Sequence, residues 1–174
     1  MDKTTLLNGF RLNMDYTLKL VEDVKEGDMT KQPNGFINHP AFTIGHLVTA
    51  TALSAEVLGE KYEVPDGWDD LFRRKGPGDP TLPEPDIKKY PGKSELLTVL
   101  KEKYVQVVRL IETSDDELFK KHYSWKLDNY MSSVGQVLYF LCLLHHSWHI
   151  GQLAEWRRMM GYDSALKKLM PRQK

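Results

Sequence analysis

Residues 132–160 read SSVGQVLYFLCLLHHSWHIGQLAEWRRMM, and the reading of this stretch decides the fold class. It is long enough for about eight helical turns. It contains no proline, and Gly161 follows it, a residue that accepts the left-handed backbone just past a helix end. Leu138, Leu141, Cys142, His145, His149, Gln152 and Trp156 share one side of such a helix, and that side is apolar apart from its histidines and glutamine. The expectation is one uninterrupted helix, the longest in the chain. Its longest apolar run, residues 137–144, falls far short of the roughly 20 residues that a membrane span requires.

Working outward, three more segments carry a helical period. In residues 94–112, Leu97, Leu100, Tyr104, Val107, Val108 and Ile111 form a narrow stripe. A short helix is expected next at residues 114–121, opened by a capping box of Ser114 and Glu117. Residues 40–58 are apolar almost all round, through Phe42, Ile44, Leu47, Val48, Leu53, Val57 and Leu58, as in a helix buried on several sides. Asn38 or His39 would cap that helix, Pro40 suits its first turn, and Gly59 ends it. Residues 4–26 alternate Leu7, Phe10, Met14, Thr17, Leu18, Val21 and Val24 with charged positions, and Gly27 is placed to stop them.

Residues 59–93 differ in kind. Six of the nine prolines fall there, at 65, 77, 80, 83, 85 and 91, and no regular helix survives that spacing. A long irregular link inside one domain is either a wall or lid of a site, or a plain surface strap. Trp68, Leu71 and Phe72 are expected to anchor a short turn of it, and Trp68 and Phe72 are candidates to line a substrate pocket. The tail, residues 171–174, is expected to fray. No strand series or repeat is visible. Together these readings predict an all-α fold. One domain over residues 1–174 would form a four-helix bundle, with a long crossover between its second and third helices.

The totals narrow the function. Lys plus Arg and Asp plus Glu both number 24 in 174 residues, so nothing in the charge argues for nucleic acid or an anionic membrane as partner. A small-molecule substrate is the better expectation. The single cysteine, Cys142, cannot make an intrachain disulfide, and the N-terminal residues lack the apolar core of a signal peptide. A cytoplasmic location is expected.

His145 and His149 are four apart, so both imidazoles project from one apolar face. Two buried imidazoles are costly if charged and need partners if neutral. A divalent transition metal answers both demands, zinc or nickel being suited to neutral imidazole. A third ligand has to come from another helix, and His46, behind Gly45 in the second helix, is the natural candidate. Three protein ligands leave a tetrahedral ion one open position, the pattern of catalytic rather than structural zinc. Such an ion can acidify water or hold a thiolate.

Around these, His146 sits about 100° further round the helix and is expected to face a neighbouring helix or subunit. Gln152 either orients a ligand or packs. Cys142, Trp148 and Trp156 read as core, and Gly151 as a close helix contact. Arg157 and Arg158 read as a solvated last turn, His122 as surface, and His39 as cap or surface.

A set of motifs in order carries a family resemblance. They are Ile44-Gly45-His46-Leu47, Gly67-Trp68-Asp69-Asp70-Leu71-Phe72, Tyr90-Pro91, His145-x-x-x-His149-x-Gly151-Gln152-Leu153 and Trp156-Arg157-Arg158-x-x-Gly161. Together they resemble the DinB/YfiT-like superfamily over nearly the whole chain. The resemblance implies an antiparallel four-helix bundle, often a homodimer, with a metal on three histidines that map onto His46, His145 and His149. It also implies a metal-dependent hydrolase or an enzyme using a low-molecular-weight thiol, such as an S-transferase or a maleylpyruvate isomerase. Relatives often carry an acidic residue after the first histidine of the last helix and a basic one after the second. This chain has His146 and Ile150 there, so no substrate carries over. The competing expectation is a non-catalytic bundle with a structural or vestigial metal site, serving as a dimerisation or binding module.

Overall fold

The computed structural model describes residues 2–74, 76, 79 and 83–170. The expectations for Pro77, Pro80 and the tail at residues 171–174 lie outside the described residues. Regular structure among the described residues is helical, apart from one isolated bridge between His122 and Ser133. The helices are α1 Lys3–Val21, α2 Pro40–Val57, α3 Trp68–Phe72, α4 Lys93–Thr113, α5 Asp116–Lys120, α6 Val134–Tyr139, α7 His146–Met159 and α8 Leu166–Leu169. A π-helical segment, Phe140–His145, joins α6 to α7.

α2 packs chiefly on α4, and also on α3 and on the α6–π–α7 run. α1 packs on α7, on the π segment and on α4, and α8 docks back onto α1. α2 is buried along nearly its whole length, as its all-round apolar sequence predicts. His39 caps it by accepting the Phe42 N–H at 3.1 Å on Nδ1. That ring is fully buried rather than at the surface, because its Nε2–H finds the Glu84 carbonyl at 3.0 Å.

Several sequence expectations are corrected. The last long helix is not uniformly α-helical. Its centre widens into a π turn, a distortion that often marks functional positions, and His145 is the last residue of that turn. α1 stops at Val21, and residues 26–28 make a separate 3₁₀ turn containing Gly27. The cap of α5 is Asp115, whose carboxylate accepts the Glu117 N–H at 3.0 Å, while Ser114 bonds back to Leu110 at the end of α4. A true capping box stands elsewhere, between Ser133 and Gln136 at the start of α6. On α4 the buried stripe runs through Leu96, Leu100, Val107 and Ile111, so Leu96 takes the place expected of Leu97.

Arg157 is not solvated. It is 1% exposed and donates to the Leu20 carbonyl at 2.7 Å, to the Asp163 carbonyl at 2.6 Å and to Asp23 at 2.5 Å. A buried guanidinium is tolerable only with such a full set of acceptors. The Arg157 hydrogen bond, with Lys168 adding to it, holds the Asp23 carboxyl well below the usual range. Trp148 is 57% exposed rather than core. Gly151 meets no neighbour, since a methyl group there would touch nothing within 4 Å. Trp156 is core as expected, its indole N–H on the Lys31 carbonyl at 2.8 Å.

The close approach that matters lies at Gly45. A β-carbon at that position would stand 2.3 Å from the Phe72 ring. Only glycine lets Phe72 lie flat on the α2 backbone, one residue before His46. The proline-rich link is therefore anchored beside the histidines by α3, with Trp68 and Phe72 both buried.

Candidate metal centre

Three elements bring three imidazoles to one point. His46 comes from α2, His145 from the end of the π turn and His149 from the first turn of α7. The Nε2 atom of His145 lies 3.2 Å from Nε2 of His46 and 3.2 Å from Nε2 of His149. Two nitrogens at ~2.0–2.1 Å from one tetrahedral ion stand about 3.3 Å apart. The three residues offer ligand atoms within 4.8 Å of one another, and among the described residues they form the only such histidine, cysteine or carboxylate cluster.

The protonation of two of these rings follows from their outer partners. His46 Nδ1 is 2.9 Å from the carbonyl oxygen of Phe72, an end-of-helix carbonyl that can only accept. His46 therefore carries its proton on Nδ1 and presents a lone pair at Nε2. For His149 the line of hydrogen bonds begins at Arg74, which can only donate. Arg74 donates to Asn38 Oδ1 at 3.0 Å, which turns Asn38 Nδ2 towards Gln152. Asn38 Nδ2 donates to Gln152 Oε1 at 3.0 Å, and the same oxygen lies 3.0 Å from His149 Nδ1. His149 must then donate from Nδ1, and its Nε2 is also a lone pair. Outer partners that fix the tautomer in this way are the usual support of a metal-binding histidine.

His145 is held differently. Its Nδ1 is buried without a hydrogen-bond partner among the described residues. Packing orients the ring instead, by stacking on Phe140 at 5.9 Å and meeting Trp148 edge-on at 6.3 Å. Burial, and then the charges of neighbouring His46 and His146, push its pKa down to about 3. Burial likewise lowers His46 and takes His149 well below the ordinary value. Three neutral rings aim nitrogens at one point, and two of those are fixed lone pairs. One donated N–H cannot satisfy both, whereas a cation satisfies all three, so the donor set fits a divalent ion.

The histidines form the floor of a cavity of about 530 Å³, within the usual range for small-molecule sites. Leu53, Trp125, Phe140 and Trp148 supply apolar wall, and Tyr62, Arg73, Arg74 and Gly76 of the proline-rich link close one side. The link is thus a wall of the cavity and not a plain strap. Trp68 and Phe72 do not line it. Their rings are buried behind it, and Phe72 acts on the site through its carbonyl.

Of the other residues singled out by sequence, Gln152 touches His149. His146 faces α1, with Nε2 3.2 Å from the Thr17 hydroxyl. Cys142 is buried 3.7 Å from the Ser54 hydroxyl, its thiol pushed by burial up to about 12. Sequence reasoning missed Arg74, Asn38, Lys126 and Trp125, which sit in irregular segments where no periodicity assigns a direction.

A comparison with curated proteins found no match. The family model of the DinB superfamily, however, matches residues 10–153. That span takes in α2, the wall of the cavity and all three converging histidines, and the chain belongs to the DinB superfamily.

Proposed function

We propose that the protein is a divalent-metal-dependent enzyme, and specifically an S-transferase that joins a low-molecular-weight thiol to an electrophile seated in the cavity. The observation that carries this reading is the placement of three converging imidazoles on the floor of a solvent-reachable cavity instead of inside a sealed core. His46, His145 and His149 would hold the ion, with zinc or nickel best matched to three neutral imidazoles. When bound, the ion supplies positive charge that favours a thiolate over a thiol. The chain's own residues orient and exclude. Phe72 and Gln152 hold two ligand rings in the competent tautomer, and Trp148, Phe140 and Leu53 offer an electrophile an apolar surface.

Thiol transfer is preferred to hydrolysis for a chemical reason. Among the described residues lining the cavity there is no carboxylate, and its imidazoles are the three proposed ligands. A hydrolase would lack a side chain to take a proton from water, whereas a thiol ionises near neutrality and needs no strong base. The scaffold is read as an antiparallel four-helix bundle with the proline-rich link as crossover. A cytoplasmic location goes with it, and no helix among the described residues is long and apolar enough to cross a membrane. Homodimer assembly is proposed on the family resemblance alone, because α2 is already covered within one chain. Sedimentation that finds only a 20.1 kDa species would refute it.

The test of function begins with elemental analysis of protein purified without an affinity tag. Metal-loaded and chelator-treated samples are then assayed with small thiols and an electrophile such as monochlorobimane. Turnover that needs both metal and thiol is expected. A small thiol should also change the visible spectrum of cobalt-substituted protein, and His46→Ala should abolish that change. Ester hydrolysis without thiol would favour the hydrolase. A fourth protein ligand with no turnover would leave a structural metal site.

A further inference from the structure

The chain carries equal numbers of acidic and basic residues, but the cavity does not share that balance. Arg73, Arg74 and Lys126 line it, and no Asp or Glu does among the described residues. The three cations are not equivalent. Arg74 is committed to Asn38 at 3.0 Å and lies over the Phe42 ring at 4.5 Å. Arg73 lies over Tyr62 at 5.5 Å and only 4.0 Å from Asp69, a carboxylate already bonded to the Tyr62 hydroxyl at 2.5 Å. Lys126 is exposed and makes no hydrogen bond or ion pair with any described residue.

The apolar lining completes the pattern. Trp148 is 57% exposed on a helix whose other aromatic residues are largely covered. It stands edge-on to Phe140 at 5.5 Å, and Trp125 also meets Phe140 edge-on at 5.2 Å. Exposed aromatic surface beside unpaired positive charge suits a ligand that is flat and apolar at one end and acidic at the other.

We propose that the substrate filling this cavity is an aromatic or similarly flat apolar organic acid, its body against Trp148 and Phe140 and its anionic group held at the mouth by Lys126 and Arg73. This deepens the enzymatic reading, since it names the substrate class of that same site. An acid anchored at the mouth leaves the other end of the molecule facing the histidines, where the reacting carbon would be presented.

Calorimetric titration with 2-naphthoate, its neutral isostere 2-naphthamide and the cationic 2-naphthamidine tests this. Both metal-free and zinc-loaded protein are used. Naphthoate is expected to bind about tenfold more tightly than the amide in both forms, and the preference should shrink as salt rises. Lys126→Gln should remove most of it and Arg73→Gln part of it, with amide binding unchanged. Both side chains are exposed at the mouth, so neither variant threatens the fold.

Equal binding of acid and amide, tighter binding of the amidine, or a preference that survives both substitutions would overturn the proposal. A preference seen only with zinc would place the acid on the ion, which overturns the mouth assignment and leaves the metal reading intact. A preference seen in both forms, in protein that shows no thiol transfer with any metal, would uphold this inference while the proposed reaction fails.

Discussion

His145 and His146 are consecutive residues with opposite surroundings. Burial is the main reason that both have pKa values near 3. On the side facing α2, His145 meets two more imidazoles at 3.2 Å, and its second nitrogen has no partner among the described residues. On the side facing α1, His146 meets the hydroxyl of Thr17, whose own proton goes to the Asn13 carbonyl at 2.8 Å. The Thr17 oxygen is thus free to accept from His146 Nε2–H, and the pair is complete. Burial does not account for the contrast, and helical spacing says only that the two rings point to different sides. The difference lies at the Nε2 atoms: that of His146 has a hydroxyl partner, whereas those on the α2 side meet only one another, a demand that a cation would meet.

The largest effect that could break this contrast is on metal content. His145→Ala or His149→Ala is expected to lose metal affinity by more than the roughly 10–100-fold typical of removing an outer partner. His146→Ala should keep its metal and instead lose about 2–4 kcal/mol of stability, as other truncations of buried side chains do. Elemental analysis and urea unfolding on the same samples separate the two outcomes. Equal metal loss in all three variants would show that the two faces were wrongly contrasted.

A smaller effect sharpens the contrast at the level of supporting contacts. Gln152→Leu removes the acceptor of His149 Nδ1, and metal affinity should fall roughly 10–100-fold with the fold intact. Thr17→Val removes the partner of His146. It should cost about 1 kcal/mol of stability and leave metal affinity unchanged. Competition with a chromophoric chelator measures the first, and denaturant titration the second. Metal loss in the threonine variant would tie the two faces together.

How far the site was legible in sequence follows the same division. His46, His145 and His149 could be found because helical spacing assigns a direction to every side chain, and α2 and the last helix are strongly patterned. The π turn was not legible, because residues 137–144, which lead into it, are apolar on all sides and an apolar run gives no phase. Arg157 was misread as solvent-facing because the rule for a helix's last turn says nothing of Asp23 or the Leu20 carbonyl, which reach it from α1 and the residues just after it. Trp148 was misread because aromatic residues are usually core, and only the assembled cavity gives it a reason to be exposed. Arg74 and Lys126 sit in irregular segments, where direction comes from tertiary contacts alone.

A third buried histidine extends the comparison to acid stability. His39 uses both ring nitrogens, accepting from Phe42 N–H and donating to the Glu84 carbonyl, and burial lowers its pKa to about 4. Its folded value lies below the unfolded value near 6.5, so the unfolded chain binds a proton that the native chain refuses. Stability from this group is complete above about pH 6.5 and is lost as pH falls from there towards 4. His39→Asn keeps a capping side chain, and at pH 5.5 it should recover about 1 kcal/mol of the acid-induced loss. Urea unfolding of metal-free protein across that range tests it, and parallel curves for the two proteins would count against it.

The smallest expected effect lies furthest from the ion, at Arg74. The guanidinium touches no histidine, yet it is the group in the chain that can only donate, and so it sets the direction of each hydrogen bond from Asn38 to His149. Arg74→Met keeps apolar contact with Phe42 and removes that directional constraint. Asn38 and Gln152 can then flip together and turn an N–H towards His149 Nδ1. The proton moves to Nε2, where it opposes a cation. A partial shift between the two tautomers should weaken metal binding only about threefold, less than direct loss of the outer partner. The sharper readout is nitrogen NMR of His149 in metal-free protein. Wild type should show a single Nδ1–H tautomer and the variant a mixture, with His146 unchanged in both. A variant that keeps the pure Nδ1–H form would show that Asn38 and Gln152 hold their orientation without the arginine.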